Sequence, residues 1–166
     1  MFGRKTGQYH LGCEMDRFFL FIATGAYSGY LPKAPGTWAS GLTVLLWLFL
    51  GKLPLAPYLG IVLVLFVVGT ICAGAAEKLV DRPDPGLVVI DEVVGQLLAL
   101  VAAPIHPLTA LGGFLLFRLF DIFKPFPVRW FDQHIHGGLG IMLDDVMAGC
   151  YAFLILQLGL YFFPLS

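Results

Sequence analysis

Five stretches of this chain carry no charged side chain: residues 18–32, 34–51, 53–76, 93–117 and 146–166. A helix needs roughly 20 apolar residues to cross a bilayer. The third, fourth and fifth stretches, at 24, 25 and 21 residues, are long enough, and the second, at 18, is marginal. Only 13% of the 166 residues are charged and 58% are hydrophobic, too apolar a balance for an ordinary soluble domain. The competing reading is a very apolar soluble helical core. The chain is long enough for one compact unit, and no repeat, low-complexity tract or linker divides it.

Net charge −1 argues against a nucleic-acid partner. Cys13, Cys72 and Cys150 are isolated, so neither a disulfide frame nor a zinc site is expected. Residues 1–17 form a variable polar N-terminus with Arg4, Lys5, Glu14, Asp16 and Arg17. The apolar run that follows is short for a signal peptide, so no cleavage is expected.

The basic residues are distributed unevenly. Lys52 stands alone between the second and third stretches, beside the turn signal Leu53-Pro54-Leu55-Ala56-Pro57. The other nine lie in 1–33, 77–92 and 118–145. If 34–51 and 53–76 form a hairpin of spanning helices, 1–33 and 77–92 share one side, which the positive-inside rule makes the cytoplasm. A single crossing by 93–117 would then carry Arg118, Lys124 and Arg129 outside. It would also part Asp91 and Glu92 from Asp121, Asp144 and Asp145 by the whole bilayer.

Pro104-Ile105-His106-Pro107 offers another path, because proline removes a helix donor and biases the preceding residue away from the helical region. Split there, the run becomes two pieces, 93–103 and 108–120, each ~16–20 Å long at 1.5 Å per residue. Such pieces are too short to cross and suit a re-entrant or interfacial hairpin; one kinked span is the alternative. The expected fold is all-α and polytopic: about three spanning helices over 34–51, 53–76 and 146–163, the hairpin, and an N-terminal interfacial helix over 18–30. Residues 18–166 are read as a single domain.

Five of the eleven acidic residues sit at the margins of these stretches, as Asp91-Glu92, Asp121 and Asp144-Asp145. Arg118, Asp121 and Lys124 recur every three residues, so a helix that stops at Pro125 puts Arg118 and Asp121 side by side. A surface ion pair would account for them. However, Asp121 near a helix C-terminus meets the negative end of the macrodipole, a penalty that a metal ion offsets. The two acid pairs stand where helices are expected to begin, and one carboxylate of each can be an N-cap. The second needs another reason, because adjacent like charges repel unless a cation lies near. One member of each pair is therefore expected as a ligand, and oxygen-only ligands beside a phosphate substrate point to Mg²⁺.

His134 and His136 precede the second pair, within a glycine-rich segment ending at Gly140. Either can give a proton to a leaving alkoxide or hold phosphate, and either can be structural. Residues 32–40 read as a loop entering a helix. Thr37 is placed to cap it, or the loop amides form a phosphate site with Lys33 beside them. The P-loop pattern is absent, so no nucleotide is expected.

Four motifs follow one another between about residues 25 and 150. They are Pro32-x-x-Pro35-Gly36-Thr37-x-x-Ser40, Asp91-Glu92-x-x-Gly95, Arg118-x-x-Asp121-x-x-Lys124-Pro125-x-Pro127, and a nearly continuous run from Arg129-Trp130-Phe131-Asp132 through His136 and Asp144-Asp145 to Gly149. Together they resemble the phosphatidylglycerophosphatase A family, with no departure at the charged positions. The resemblance implies a Mg²⁺-dependent phosphatase of bacterial inner membranes, converting phosphatidylglycerophosphate to phosphatidylglycerol. It implies that Glu92, Asp121, Asp144 and Asp145, with Asp91 near, bind Mg²⁺, and that Arg118 and Lys124 neutralise phosphate oxygens. Asp121, Asp144, Asp145 and His136 are then the candidate catalytic residues, with Lys33, Thr37 and His134 as further phosphate contacts. Metal-activated water is the simplest nucleophile and an aspartyl-phosphate the alternative.

The topology would put this site on the cytoplasmic face. Phosphatidic and lysophosphatidic acids are alternative substrates, and the oligomeric state is not legible. Motifs of vanadium-peroxidase-like lipid phosphatases and of CDP-alcohol phosphatidyltransferases are absent. A transporter would hold ionisable residues near the bilayer midplane, whereas these gather at segment ends.

Overall fold

Prolines and glycines set the helix boundaries. The computed structural model describes residues 14–126 and 134–164, and every regular element among them is helical. α1 (Glu14–Ala23) leads through a 3₁₀ turn (Ser28–Tyr30) to α2 (Pro35–Leu50), α3 (Leu55–Val80), α4 (Ile90–Ala99), α5 (Pro107–Phe123) and α6 (Gly137–Phe162). Pro35 and Pro107 sit in the first turns of α2 and α5, where a helix has no use for the missing N–H. His106 caps α5 by accepting from the Leu108 amide at 3.2 Å.

From α2 onward the helices alternate in direction. The starts of α2, α4 and α6 therefore meet the ends of α3 and α5, and Gly36, Asp84, Asp91, Arg118 and Asp145 line one cavity there. α4 is the central element, packed against α2, α3, α5 and α6. Val94, Leu97 and Leu100 have no exposed surface. α4 and α6 touch backbone to backbone: a side chain at Gly149 would strike the Gly95 carbonyl, and one at Gly95 would strike the Phe117 ring. Facing glycines allow this approach, and it sets Asp91 beside Asp145.

α4 is only 10 residues long and stops inside the bundle. Its last carbonyls need donors in a place that water does not supply. Tyr58 of α3 donates to the Leu97 carbonyl at 2.7 Å, and Trp47 of α2 to the Leu100 carbonyl at 3.2 Å. Gln157 of α6 donates to the Val101 carbonyl at 2.8 Å.

Several expectations are corrected. Among the described residues two helices, not three, are long and apolar enough to cross a bilayer: α3 and α6, each of 26 residues and ~39 Å long. α2 falls short because Pro35 starts it and the turn at Gly51 ends it, leaving 16 residues and ~24 Å. The N-terminal helix is α1 (Glu14–Ala23), which ends at Ala23 rather than continuing to 30. α6 begins at Gly137, so Asp144 and Asp145 lie two turns inside it and neither caps its start. The 93–117 stretch does divide at the prolines, into α4 and α5, and Arg118 Nη1 returns to within 4.0 Å of Glu92 Oε1. Residues 1–13 and the 129–132 part of the last motif lie outside the described residues.

The outer surface is apolar. The most apolar window of α3 is only 28% buried, and Leu63 and Ile71 are 62% and 59% exposed. A contiguous apolar belt of this kind suits lipid rather than water.

Candidate metal and phosphate site

Asp91 and Glu92 occupy the first turn of α4, where the positive end of the helix dipole favours carboxylates. Neither is the N-cap, a position held by Val89. Asp145 approaches from α6, and Asp91, Glu92 and Asp145 each offer an oxygen within 4.8 Å of the others. Asp91 is 8% exposed and Asp145 only 3%.

Three carboxylates gathered in this way, with Asp91 and Asp145 buried and Glu92 partly so, are disfavoured by lost solvation and by mutual repulsion. Burial first, then the charges of Glu92 and Asp145, hold the Asp91 carboxyl well above the usual range. Burial also pushes Glu92 up to about 6, although a hydrogen bond with Asp91 and the Arg118 charge pull the other way. Asp91 Oδ1, Glu92 Oε2 and Asp145 Oδ2 are buried without a hydrogen-bond partner. Orphaned oxygens of this kind fit a hard divalent cation, which supplies the missing positive charge and coordination.

The opposite wall is cationic. Arg118 Nη1 lies 2.7 Å from Asp121 Oδ2, the i,i+3 neighbour that the three-residue spacing predicts. The contact is electrostatic rather than an aligned hydrogen bond, because Arg118 Nε and Nη1 both lack an acceptor. Lys124 ends α5 in a left-handed conformation at φ 42°, and its Nζ reaches Asp144 Oδ2 at 2.7 Å. Asp144 Oδ1 accepts from the Asp145 amide at 3.0 Å. The adjacent aspartates thus face different ways: Asp144 toward Lys124, Asp145 toward the other two acids.

All these side chains line one cavity of about 260 Å³, roofed by Ala34, Pro35 and Gly36. A Cβ on Gly36 would collide with Glu92 Oε1 and press on Arg118, so only glycine lets α2 cover the acids. Gly36 stands in the first motif, but the site residues expected from that segment were Lys33 and Thr37, neither of which lines the cavity. Thr37 is exposed and does not cap α2; Ala34 holds the cap position at φ 58° with no side-chain bond. His136 lines an adjoining cavity of about 140 Å³ with Glu77, Asp84 and Asp144. His134 is exposed and lines neither cavity. Asp84, not expected from the sequence, lines both cavities, and its only signal was an acid held between Pro83 and Pro85.

A family model described as Phosphatidylglycerophosphatase A matches residues 21–160, which take in the whole cavity. The chain belongs to the phosphatidylglycerophosphatase A family. A relative of that name from Escherichia coli K12 is 35% identical over 137 residues, covering 82% of this chain and 80% of its own. Another, from Haemophilus influenzae, is 38% identical over 136 residues, covering 81% and 83%. A Bacteroides thetaiotaomicron relative, provisionally named a phosphatidylinositol-3-phosphatase, is 39% identical over 147 residues, covering 84% and 92%. No solved structure matches. Membership of the phosphatidylglycerophosphatase A family, with two helices of spanning length and an apolar belt, marks a membrane-associated protein.

Proposed function

We propose that this chain is a Mg²⁺-dependent lipid phosphatase. It would hydrolyse the terminal phosphate monoester of phosphatidylglycerophosphate, giving phosphatidylglycerol and inorganic phosphate. The observation that carries this reading is the convergence of three carboxylates, Asp91, Glu92 and Asp145, each with one orphaned oxygen, beside Arg118 and Lys124. An all-oxygen donor set matches the preference of Mg²⁺, which is usually shared between carboxylates and substrate phosphate. Bound there, the ion would polarise a phosphoryl oxygen and ease deprotonation of the attacking water.

The chain's own residues bind and orient the phosphate. Arg118 lines the cavity, and its Nε and Nη1 have no aligned hydrogen-bond acceptor, so its charge is available to phosphate oxygens there. Lys124 adds a second positive charge, and phosphoryl transfer depends chiefly on such charge stabilisation. Asp121 and Asp144, first expected as metal ligands, are assigned to orienting these two cations, with which they pair at 2.7 Å. His136, one cavity away across Asp144, is left out of the proposed chemistry.

The cavity end is assigned to the cytoplasmic side of a bacterial inner membrane, with α3 and α6 crossing and α4 and α5 entering and returning. In support, Lys78, Arg82, Arg118 and Lys124 lie toward the cavity end, while Lys52 stands alone in the turn at the other. A wider substrate range is a second reading, favoured by the name of the Bacteroides relative.

Purified protein in mixed micelles, assayed for phosphate release from phosphatidylglycerophosphate, phosphatidic acid and phosphatidylinositol 3-phosphate, tests both. The expected result is release from phosphatidylglycerophosphate that EDTA abolishes and Mg²⁺ restores. Release from another lipid alone would replace the substrate, and release from none would end the phosphatase reading.

A further inference from the structure

An apolar groove of about 600 Å³ opens between α2 and α5, outside the acid-lined cavity. Val44, Leu45 and Leu48 form one wall, and Ala110, Leu111 and Phe114 the other. The same two helices frame the cavity, through Gly36 at the start of α2 and Arg118 and Asp121 near the end of α5. On α5 the relationship is one of register. Pro107, Ala110, Leu111 and Phe114 recur at helical spacing along the groove, and the next two members of that row are Arg118 and Asp121. One face of one helix thus passes from apolar to charged at Arg118.

The dimensions suit a lipid tail. From Pro107 to Arg118 is ~16 Å along the helix at 1.5 Å per residue. One leaflet of hydrocarbon is ~15 Å deep, half of the ~30 Å core. The volume lies in the range of roughly 300–1,000 Å³ common to small-molecule sites.

We propose that this groove holds an acyl chain of the lipid phosphomonoester whose phosphate lies at Arg118 and Lys124. The inference rests on the phosphatase reading above, and it makes the groove a substrate subsite rather than a patch of bulk-lipid contact. The lipid then enters sideways from the bilayer. Its headgroup reaches Arg118 at the cavity while its tail stays among the apolar side chains of the groove, so no tail has to be extracted into water.

Two substitutions fill the groove without touching the core. A Cβ at Gly41, on the groove wall, meets no atom within 4 Å, and Leu45 is 57% exposed. Gly41→Leu and Leu45→Trp are compared with Leu63→Trp, at an equally exposed α3 position outside the groove. The readout is the ratio of kcat/KM for a long-chain lipid phosphate to that for its dihexanoyl analogue. A second readout is photolabelling of the protein by a phosphatidic acid carrying a diazirine at mid-chain, which needs no turnover.

Both groove variants should lower the ratio by about tenfold and reduce labelling at Val44 and Phe114, while Leu63→Trp leaves both as in the parent. An unaltered ratio, or equal loss on both substrates with the fold intact, overturns the subsite. Labelling spread evenly over the apolar belt means bulk lipid only. If the parent protein hydrolyses neither substrate, the phosphatase reading fails by itself, and the labelling pattern still decides the groove.

Discussion

Lys124 Nζ lies 2.7 Å from Asp144 Oδ2, tying the end of α5 to the third turn of α6 inside the candidate site. If Asp144 holds Lys124 against the phosphate, Asp144→Asn and Lys124→Met should each slow phosphate release by about 100-fold or more, the order seen on losing a preorganised charge contact. The double variant should be little worse than the poorer single one, because groups acting as a unit are not additive. Losses that multiply would show that the two residues act separately.

The acid trio predicts opposite signs for stability and for metal affinity. Replacing Asp145 with asparagine removes one of three mutually repelling carboxylates, so the metal-free protein should become more heat-stable. Divalent-cation affinity should fall at least about tenfold, since a ligand is lost. Calorimetry with and without Mg²⁺ checks both. Destabilisation in both conditions would mean that Asp145 is structural.

The pH dependence follows from Glu92, pushed up to about 6, and from Asp91, raised in the same direction. Above the ordinary glutamate range the metal-free folded state keeps protons that the unfolded chain has released. Its stability should therefore fall as pH rises through about 6. Cation binding requires ionised carboxylates, so affinity should rise through the same window with release of protons. Titrations between about pH 5 and pH 7.5 that show constant affinity would remove these acids from the metal site.

Gly36→Ala separates site geometry from helix propensity. Alanine is the better helix former, yet its methyl would collide with Glu92 Oε1. Activity should drop by roughly 10- to 100-fold, as a displacement of about 1 Å can cause. Full activity with raised stability would show that the roof does not bear on the acids.

Sidedness is open to chemical labelling. In a background without native cysteines, cysteine at 84 or 126 should react with an impermeant thiol reagent from the cytoplasmic side, and cysteine at 163 from the other. Labelling of 84 and 126 from opposite faces would rule out the returning path of α4 and α5.

Local effects were legible in the sequence and tertiary ones were not. Pro104 and Pro107 mark the break between α4 and α5 because a missing donor acts on its own turn. The spacing of Arg118 and Asp121 likewise forecast their contact. The last helix is expected from 146, at the edge of the uncharged stretch, but α6 begins at Gly137 and already includes the glycines before Asp144. A side chain on Gly138 would strike the Thr70 carbonyl of α3, so its smallness serves helix contact rather than chain flexibility. That misreading moved Asp144 and Asp145 to a helix start they do not occupy. Gly36 was not expected as a site residue for the same reason, since its partner Glu92 lies 56 residues away in sequence. An uncharged stretch also overstates helix length, as at α2, because it takes in the cap residues Ala34 and Gly51 on either side of the helix.

Trp47, Tyr58 and Gln157 moor the inner end of α4 to three different helices. A bilayer thicker or thinner than α3 and α6 prefer is met by tilting those long helices. The moorings make α4 tilt with the bundle as one body, so the spacing of Asp91, Glu92 and Asp145 is insulated from hydrophobic mismatch. Turnover should accordingly change little between vesicles of short- and long-chain host lipid, and Tyr58→Phe should make it thickness-sensitive.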